Sequence, residues 1–398
     1  MNTFESIPLL MMFLFLLFIS YMIADKLIPV IIRNVAYYNL MDNPNGRSSH
    51  RISTPTLGGI SFFASVMIGI SFIRKYDISH ITIYLIIALS ILFLLGVKDD
   101  LTVLSSNVKI GFQTISIFLV LNQPELCITS FHGFLGIEQI PTWFGLIFGY
   151  FIILYVINAY NLIDGIDGLA GMLGIFISTI FVIIFYFTNL YYYMFIAILI
   201  IGFLFAFLKY NLSNNKKIFM GDTGSMIVGF LLGFLILRFL AIDPVLLQNI
   251  NVLPENIFII SLAIFFFPFI DVIRVVIIRL IKRQKPFKAD RLHLHHIFID
   301  KGLSHLKASA TITLSSIFIF IIIYYCNLFF SYLGISIIFF FSIIISFYIL
   351  LILGIDDLSR VHRKKIKMYV PIQIYLMEYR FRKFIILLLK KLFYRELL

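Results

Sequence analysis

Long apolar runs alternate with short polar segments along most of this chain. Eleven runs come close to the ~20 residues that a helix needs to cross a bilayer. They lie near residues 5–25, 55–73, 80–97, 109–122, 143–158, 169–188, 191–208, 223–241, 256–280, 309–331 and 334–354. The fourth is short, and the apolar stretch 169–208 divides near Asn189. Met1 to Ile19 has no basic leader and no small-residue cleavage site, so it reads as the first span rather than as a signal peptide. The pattern predicts an all-α polytopic membrane protein of about eleven transmembrane helices. Residues 1–354 form the transmembrane domain, and 355–398 a tail mixing apolar and basic residues as an interfacial helix does.

Composition agrees with the pattern. Of 398 residues 61% are hydrophobic and only 13% are charged, against about 25% charged in a soluble domain. The basic residues are sorted by side. Residues 26–54 hold four Lys or Arg, 98–109 two, 209–217 three, 279–307 eight and the tail eleven, and the intervening loops hold few. The positive-inside rule then places the N-terminus outside and the tail in the cytoplasm. The net charge of +12 is thus a topology signal and an attraction to anionic headgroups, and nucleic acid is not an expected partner. Cys127 and Cys326 fall in an outer loop and within a span, which predicts no disulfide.

With that parity, every chemistry-bearing segment is on one side. The inner segments read DNPNGRSSH with TPTLGG (42–59), GVKDDLT (96–102), NAYNLIDGIDGLAG (158–171), KKIFMGDTGS (216–225) and ADRLHLHH (289–296). The outer loops are short or plain. Asp99, Asp100, Asp164, Asp167 and Asp222 all sit at the ends of spans, where each is costly unless hydrated, paired or metal-bound. Converging carboxylates repel unless a cation or protons relieve them, and an oxygen-rich set suits Mg²⁺, with Mn²⁺ as a substitute.

Each segment also has a plainer reading. Asp99 and Asp100 point about 100° apart on a helix, so one is expected to act as a base or metal partner and the other as a cap; a solvated helix end balanced by Lys98 is the alternative. Asn161, Asp164 and Asp167 are spaced by three, as neighbours on a helical surface are, whereas a Gly/Asp/Asn turn would use the same residues. Asp222 precedes an apolar helix whose N-terminus, capped by Thr223 or Ser225, offers N–H groups to an anion. The spacing in HLHH is not that of a helical zinc motif. With Arg291 and the basic residues around it, the pattern favours phosphate binding by His293, His295 and His296. Asp271 and Arg274, three apart within the ninth span, are expected to pair.

Taken together and in order, these motifs resemble the polyprenyl-phosphate N-acetylhexosamine-1-phosphate transferases, the superfamily of MraY, WecA and TagO. The HLHH form, the eleventh span and the cytoplasmic tail are similar to the WecA-like branch. The resemblance implies transfer of N-acetylhexosamine-1-phosphate, by default N-acetylglucosamine-1-phosphate, from a UDP-sugar to undecaprenyl phosphate. UMP is released, and lipid-linked synthesis of a cell-envelope glycan such as O-antigen begins. It implies a bacterial inner membrane, a cytoplasmic active site, Mg²⁺, and homodimers. It assigns Asp99 to activation of the lipid phosphate with Asp100 in support, and Asp222 with Asp164 to the metal. Asn161, Asp164 and Asp167 contact the uridine or metal-diphosphate region, and Phe219 stacks near uracil. His293, His295, His296 and Arg291 hold the diphosphate or sugar, and Arg51 and Asn211 complete the nucleotide contacts. Two other functions use some of the same residues: an Asp-rich Mg²⁺-dependent prenyltransferase, and a transporter of an anionic lipid or nucleotide sugar. The prenyltransferase does not call for GDTGS or HLHH, and the transporter calls for polar residues through the mid-membrane and an inverted repeat, neither of which is evident.

Overall fold

The structure is a computed structural model that describes residues 3–38, 40–42, 53–281, 283 and 293–345. Arg51, Arg291 and the tail lie outside the described residues. Apart from one two-residue strand pair, Met41–Asp42 (β1) against Thr54–Pro55 (β2), the regular structure described is helical.

The helices follow the apolar runs. They are α1 Thr3–Tyr37, α2 Gly59–Ile73, α3 Ile81–Thr102, α4 Ser106–Leu121, α5 Thr142–Ile163, α6 Leu169–Phe187 and α7 Tyr191–Asn211. Then come α8 Gly221–Leu240, α9 Pro244–Leu247, α10 Ile257–Ile264, α11 Phe266–Ile281, α12 Leu294–Asp300, α13 His305–Asn327 and α14 Tyr332–Ile345. Among the described residues seven helices are long and apolar enough to cross a membrane, or eight if the pair Pro244–Ile250 and Pro254–Ile264, bent by 83°, is one span. The expected eleven exceed this because an apolar run fixes burial and not helix continuity. The run 256–280 breaks at Phe265 between α10 and α11. The helices α2 and α4 have 15 and 16 residues, about 22–24 Å of rise against ~30 Å of hydrocarbon.

The central element is α8, buried throughout from Thr223 to Leu240. Around it pack α5, α3, α2, α6 and α7, while α1 lies against α7. The close approaches run through glycines. A Cβ on Gly96 of α3 would meet Thr223 Cα at 2.4 Å, and one on Gly229 would meet Ile157 Cα of α5 at 2.9 Å. Small residues at crossings are how apolar helices gain contact when lipid is as greasy as their partner. Outer helices expose large apolar side chains, among them Leu10, Leu14 and Phe18 of α1, Phe118 of α4 and Leu314 and Phe318 of α13. This is an integral membrane protein, with hydrocarbon as the solvent of its flanks.

Candidate active site

One end of the bundle gathers every described motif. The segment TPTLGG is sewn to FMGD by the backbone: Phe219 N donates to Pro55 O (2.8 Å), Gly58 N to Phe219 O (3.1 Å) and Gly59 N to Met220 O (2.9 Å). A Cβ on Gly59 would lie 2.1 Å from Gly224 N, so only glycine lets α2 start this close to α8. Asn211, at the end of α7, ties the next pair of loops. Its Oδ1 accepts from Gly168 N (2.7 Å) and its Nδ2 donates to Ile218 O (3.0 Å). It is only 4% exposed, so it positions loops rather than meeting a ligand from the surface.

The adjacent carboxylates of α3 divide their work. Asp100 accepts from Asp222 N (2.7 Å), Thr223 N (3.1 Å) and Thr223 Oγ1 (2.6 Å). The N-terminus of α8, expected to offer its N–H groups to a substrate anion, instead receives this carboxylate of its own chain, and Asp100 is the cap. Thr223 caps nothing, and Ser225 turns its hydroxyl back to Gly221 O (3.0 Å). Asp99 is buried; its Oδ1 accepts from Leu104 N (2.6 Å) and its Oδ2 is ion-paired with Lys109. The same ammonium is 2.7 Å from Asp222 Oδ2, while Asn161 Nδ2 donates to Asp222 Oδ1 (2.7 Å). Lys98, the expected counter-charge, is exposed, and Lys109 of α4 takes that place.

Asn161, Asp164 and Asp167 do not share a helical face, because α5 stops at Ile163 and the two aspartates belong to the turn before α6. Asn161 faces Asp222. Asp167 faces the other way, toward Lys217 Nζ (2.5 Å) and His305 Nδ1 (2.9 Å). Burial opposes ionisation of Asp167, but hydrogen bonds from His305 and Lys217 outweigh it and hold the carboxyl below its usual range. Between them Asp164 has no ion pair or side-chain hydrogen bond among the described residues. Burial, with the charges of Asp222, Asp167 and Asp100, pushes its carboxyl well above the usual range. Phe219 is half-buried, with the Lys217 ammonium 5.5 Å from its ring centre.

The histidines approach from α12. His293 Nδ1 lies 2.8 Å from Asp271 Oδ2, and Leu294 N donates to Asp271 Oδ1 (2.8 Å). Arg274 is a weaker partner at 3.7 Å: the pairing expected within the span exists, but Asp271 chiefly anchors the histidine motif. His295 lies against the Asp164–Asp167 turn; a Cβ on Gly165 would meet its Nε2 at 2.3 Å. Burial pushes its imidazole down to about 3, so the ring is neutral, and its Nδ1 has no hydrogen-bond partner among the described residues. His296 is buried beside it, the ring centres 4.3 Å apart.

A metal was expected at Asp222 and Asp164. Among the described residues no group of three or more His, Cys, Asp or Glu side chains is placed to hold one. Mg²⁺ does not need three, because it binds through one or two carboxylates with substrate phosphates and water. Partly exposed Asp222, with Asp164 near enough to feel its charge and without a side-chain partner among the described residues, is a donor set that fits.

The sequence matches the profile of glycosyl transferase family 4 over residues 81–240, the stretch from α3 through α8. It is 30% identical over 292 residues to the undecaprenyl-phosphate alpha-N-acetylglucosaminyl 1-phosphate transferase of Salmonella typhi, covering 70% of this chain and 74% of that one. The chain belongs to the polyprenyl-phosphate N-acetylhexosamine-1-phosphate transferase family. The protein of the same name in Escherichia coli (strain K12) is 27% identical over the same shares. The probable undecaprenyl-phosphate N-acetylglucosaminyl 1-phosphate transferase of Bacillus subtilis (strain 168) is 28% identical over 321 residues, 75% of this chain and 86% of its own.

Sequence reasoning about this sugar-phosphate transferase left Lys109, Lys217 and His305 without roles, and all three are cations or imidazoles set against site carboxylates. They lie in segments rich in basic residues, so a lysine with a specific partner looks like any other there. Asp271 did carry a signal, since an acid within a span needs a partner, but the partner that matters is 22 residues away.

Proposed function

We propose that this transferase moves N-acetylhexosamine-1-phosphate, by default N-acetylglucosamine-1-phosphate, from a UDP-sugar to undecaprenyl phosphate at the cytoplasmic face of a bacterial inner membrane. The lipid phosphate oxygen attacks the sugar-bearing phosphorus in line. A new diphosphate bond forms, the bond to the bridging oxygen breaks, and UMP leaves with that oxygen. Undecaprenyl-diphosphate sugar remains in the membrane to start a cell-envelope glycan. The curated relatives are named for this transfer, and the basic inner loops support the orientation.

One observation carries the reading: Asp222, partly exposed, is held on one oxygen by Asn161 and on the other by Lys109, close to Asp164, which has no side-chain partner among the described residues. Asp222 and Asp164 would hold Mg²⁺, which when bound supplies charge compensation between two anionic substrates. The chain's own residues do the rest. Asn161 fixes the Asp222 rotamer. Asp100 keeps the end of α8 from competing for the diphosphate. His293 is set by Asp271, and neutral His295 supplies a hydrogen-bonding nitrogen without adding charge. A phosphate monoester has its second pKa near 6, so the lipid nucleophile is mostly dianionic at neutral pH. No strong base is then needed, buried Asp99 holds the Lys109 ammonium beside Asp222, and the attack is direct. Phe219 forms the stacking wall for the base.

The test supplies membranes containing the full chain with undecaprenyl phosphate and labelled UDP-N-acetylglucosamine, then UDP-N-acetylgalactosamine. Label in the lipid phase with equimolar UMP is expected. Label entering sealed vesicles without lipid product would indicate transport instead.

A further inference from the structure

The Lys109 ammonium sits where a bound cation would sit. It reaches in from the first turns of α4 to lie between Asp99 Oδ2 and Asp222 Oδ2, 2.7 Å from the latter. Asp99 is 4% exposed, its Oδ2 is sealed from solvent with Lys109 as its ion-pair partner, and its Oδ1 is taken by the Leu104 amide. Without Lys109, two close carboxylates would face each other across a half-dry gap, which a single positive charge relieves. Lys217 cannot substitute, being 2.5 Å from Asp167 Oδ2 on the far side of the turn.

Two features make this charge movable. Lysine carries a compact point charge on a flexible stem, unlike the fixed fork of arginine, and both Lys109 and Asp222 are partly open, with side chains 27% and 33% exposed. Asn161 and the backbone keep the carboxylates in place when the ammonium leaves, because Asp222 Oδ1 and Asp99 Oδ1 have their own donors.

We propose that Lys109 is the resident counter-cation of the site: it bridges Asp99 and Asp222 in the metal-free protein and must release Asp222 before a divalent ion can bind there. The inference rests on the metal reading above. Since Lys109 and the ion compete for one carboxylate oxygen, the metal-free protein binds the ion weakly. Releasing the ammonium toward the incoming phosphates couples metal binding to arrival of the anionic substrate.

The test measures Mn²⁺ binding by the full-length purified protein in detergent, using the electron paramagnetic resonance of free Mn²⁺ without substrate. Lys109→Met is expected to bind Mn²⁺ at least about tenfold more tightly than wild type. It should also have a lower Tm without metal and a larger Mg²⁺-induced rise in Tm. Lys109→Arg, which keeps the charge, is expected to bind no more tightly than wild type, and Asp222→Asn to lose binding. Equal or weaker binding by Lys109→Met, with Asp222→Asn still abolishing it, overturns the counter-cation role and leaves the metal reading standing. Wild-type affinity in Asp222→Asn overturns both. A wild-type readout covers poor folding of the methionine variant: Mg²⁺ is expected to speed amine-specific labelling of Lys109, read by mass spectrometry, and unchanged or slower labelling overturns the proposal.

Discussion

Both ends of the helix bundle bury polar side chains, and the two ends use them differently. At the end opposite the candidate site, Asn327 Oδ1 accepts from Leu253 N (3.1 Å) and Asn256 Nδ2 (3.0 Å), and its Nδ2 donates to Asn251 O (2.7 Å). Asp77 accepts the amides of Ile81 and Thr82 at the start of α3, and Arg238 donates to Ala241 O. There, polar side chains mostly satisfy loop backbone, as buried amides and carbonyls demand. At the site end carboxylates face carboxylates, Lys109 stands between two of them, and Asp164 has no ion pair or side-chain hydrogen bond among the described residues. Polar burial alone therefore does not mark a site. The mark is like charge brought together and left partly unsatisfied, which folding disfavours and ligand binding relieves.

The sharpest way to break this contrast is Asp222→Asn. It should lower the rate of lipid-linked product formation by about 100- to 1000-fold, several kcal/mol of lost charge compensation. A rate within about threefold of wild type at equal protein would remove Asp222 from the chemistry. Asp271→Asn should cost about 10- to 100-fold in kcat/KM by freeing His293, as loss of an orienting partner does. Folded yield should hold, and a variant with intact kcat/KM and lowered Tm would make Asp271 purely structural. Asn327→Ala tests the other end. Leaving Leu253 N and Asn251 O without their Asn327 partner, while Asn256 Nδ2 keeps its bond to Phe330 O, should cost about 2–4 kcal/mol of stability, seen as a lower Tm, while activity per folded molecule stays within about twofold. The smallest effect concerns pH. Folded His295 protonates near 3 and the unfolded residue near 6.5, so between those values the unfolded chain binds more protons. Stability from His295 is present above about pH 6.5 and is lost, by a few kcal/mol at most, as pH falls toward 3. His295→Gln should flatten the fall in Tm between pH 7 and 5 relative to wild type; parallel curves would show that the ring is hydrated.

How much was legible depended on the kind of information each residue carries. The gathering of the described motifs at one end agrees with the sorting of polar segments by side, although the described helices long and apolar enough to cross number seven or eight and not eleven. The division of labour between Asp99 and Asp100 was half legible: adjacent helical side chains must diverge, but which one meets α8 depends on how α3 crosses it at Gly96. The three-residue spacing of Asn161, Asp164 and Asp167 misled, since α5 ends at Ile163 and Gly168 already starts α6, which leaves the two aspartates in the turn between them.

The sequence by itself determined an integral membrane protein, the placing of its described acidic and histidine motifs at one end, and its family, because apolar length and ordered motifs are local properties. Only the tertiary structure decided that Lys109 bridges Asp99 and Asp222, that Asp100 caps α8, that Asp271 holds His293, and that Asp167 turns to Lys217 and His305. Those are pairings between side chains far apart in sequence. They depend on which helices lie within a few ångströms of α8, a choice made by glycine-to-backbone contacts that no charge or hydropathy pattern records.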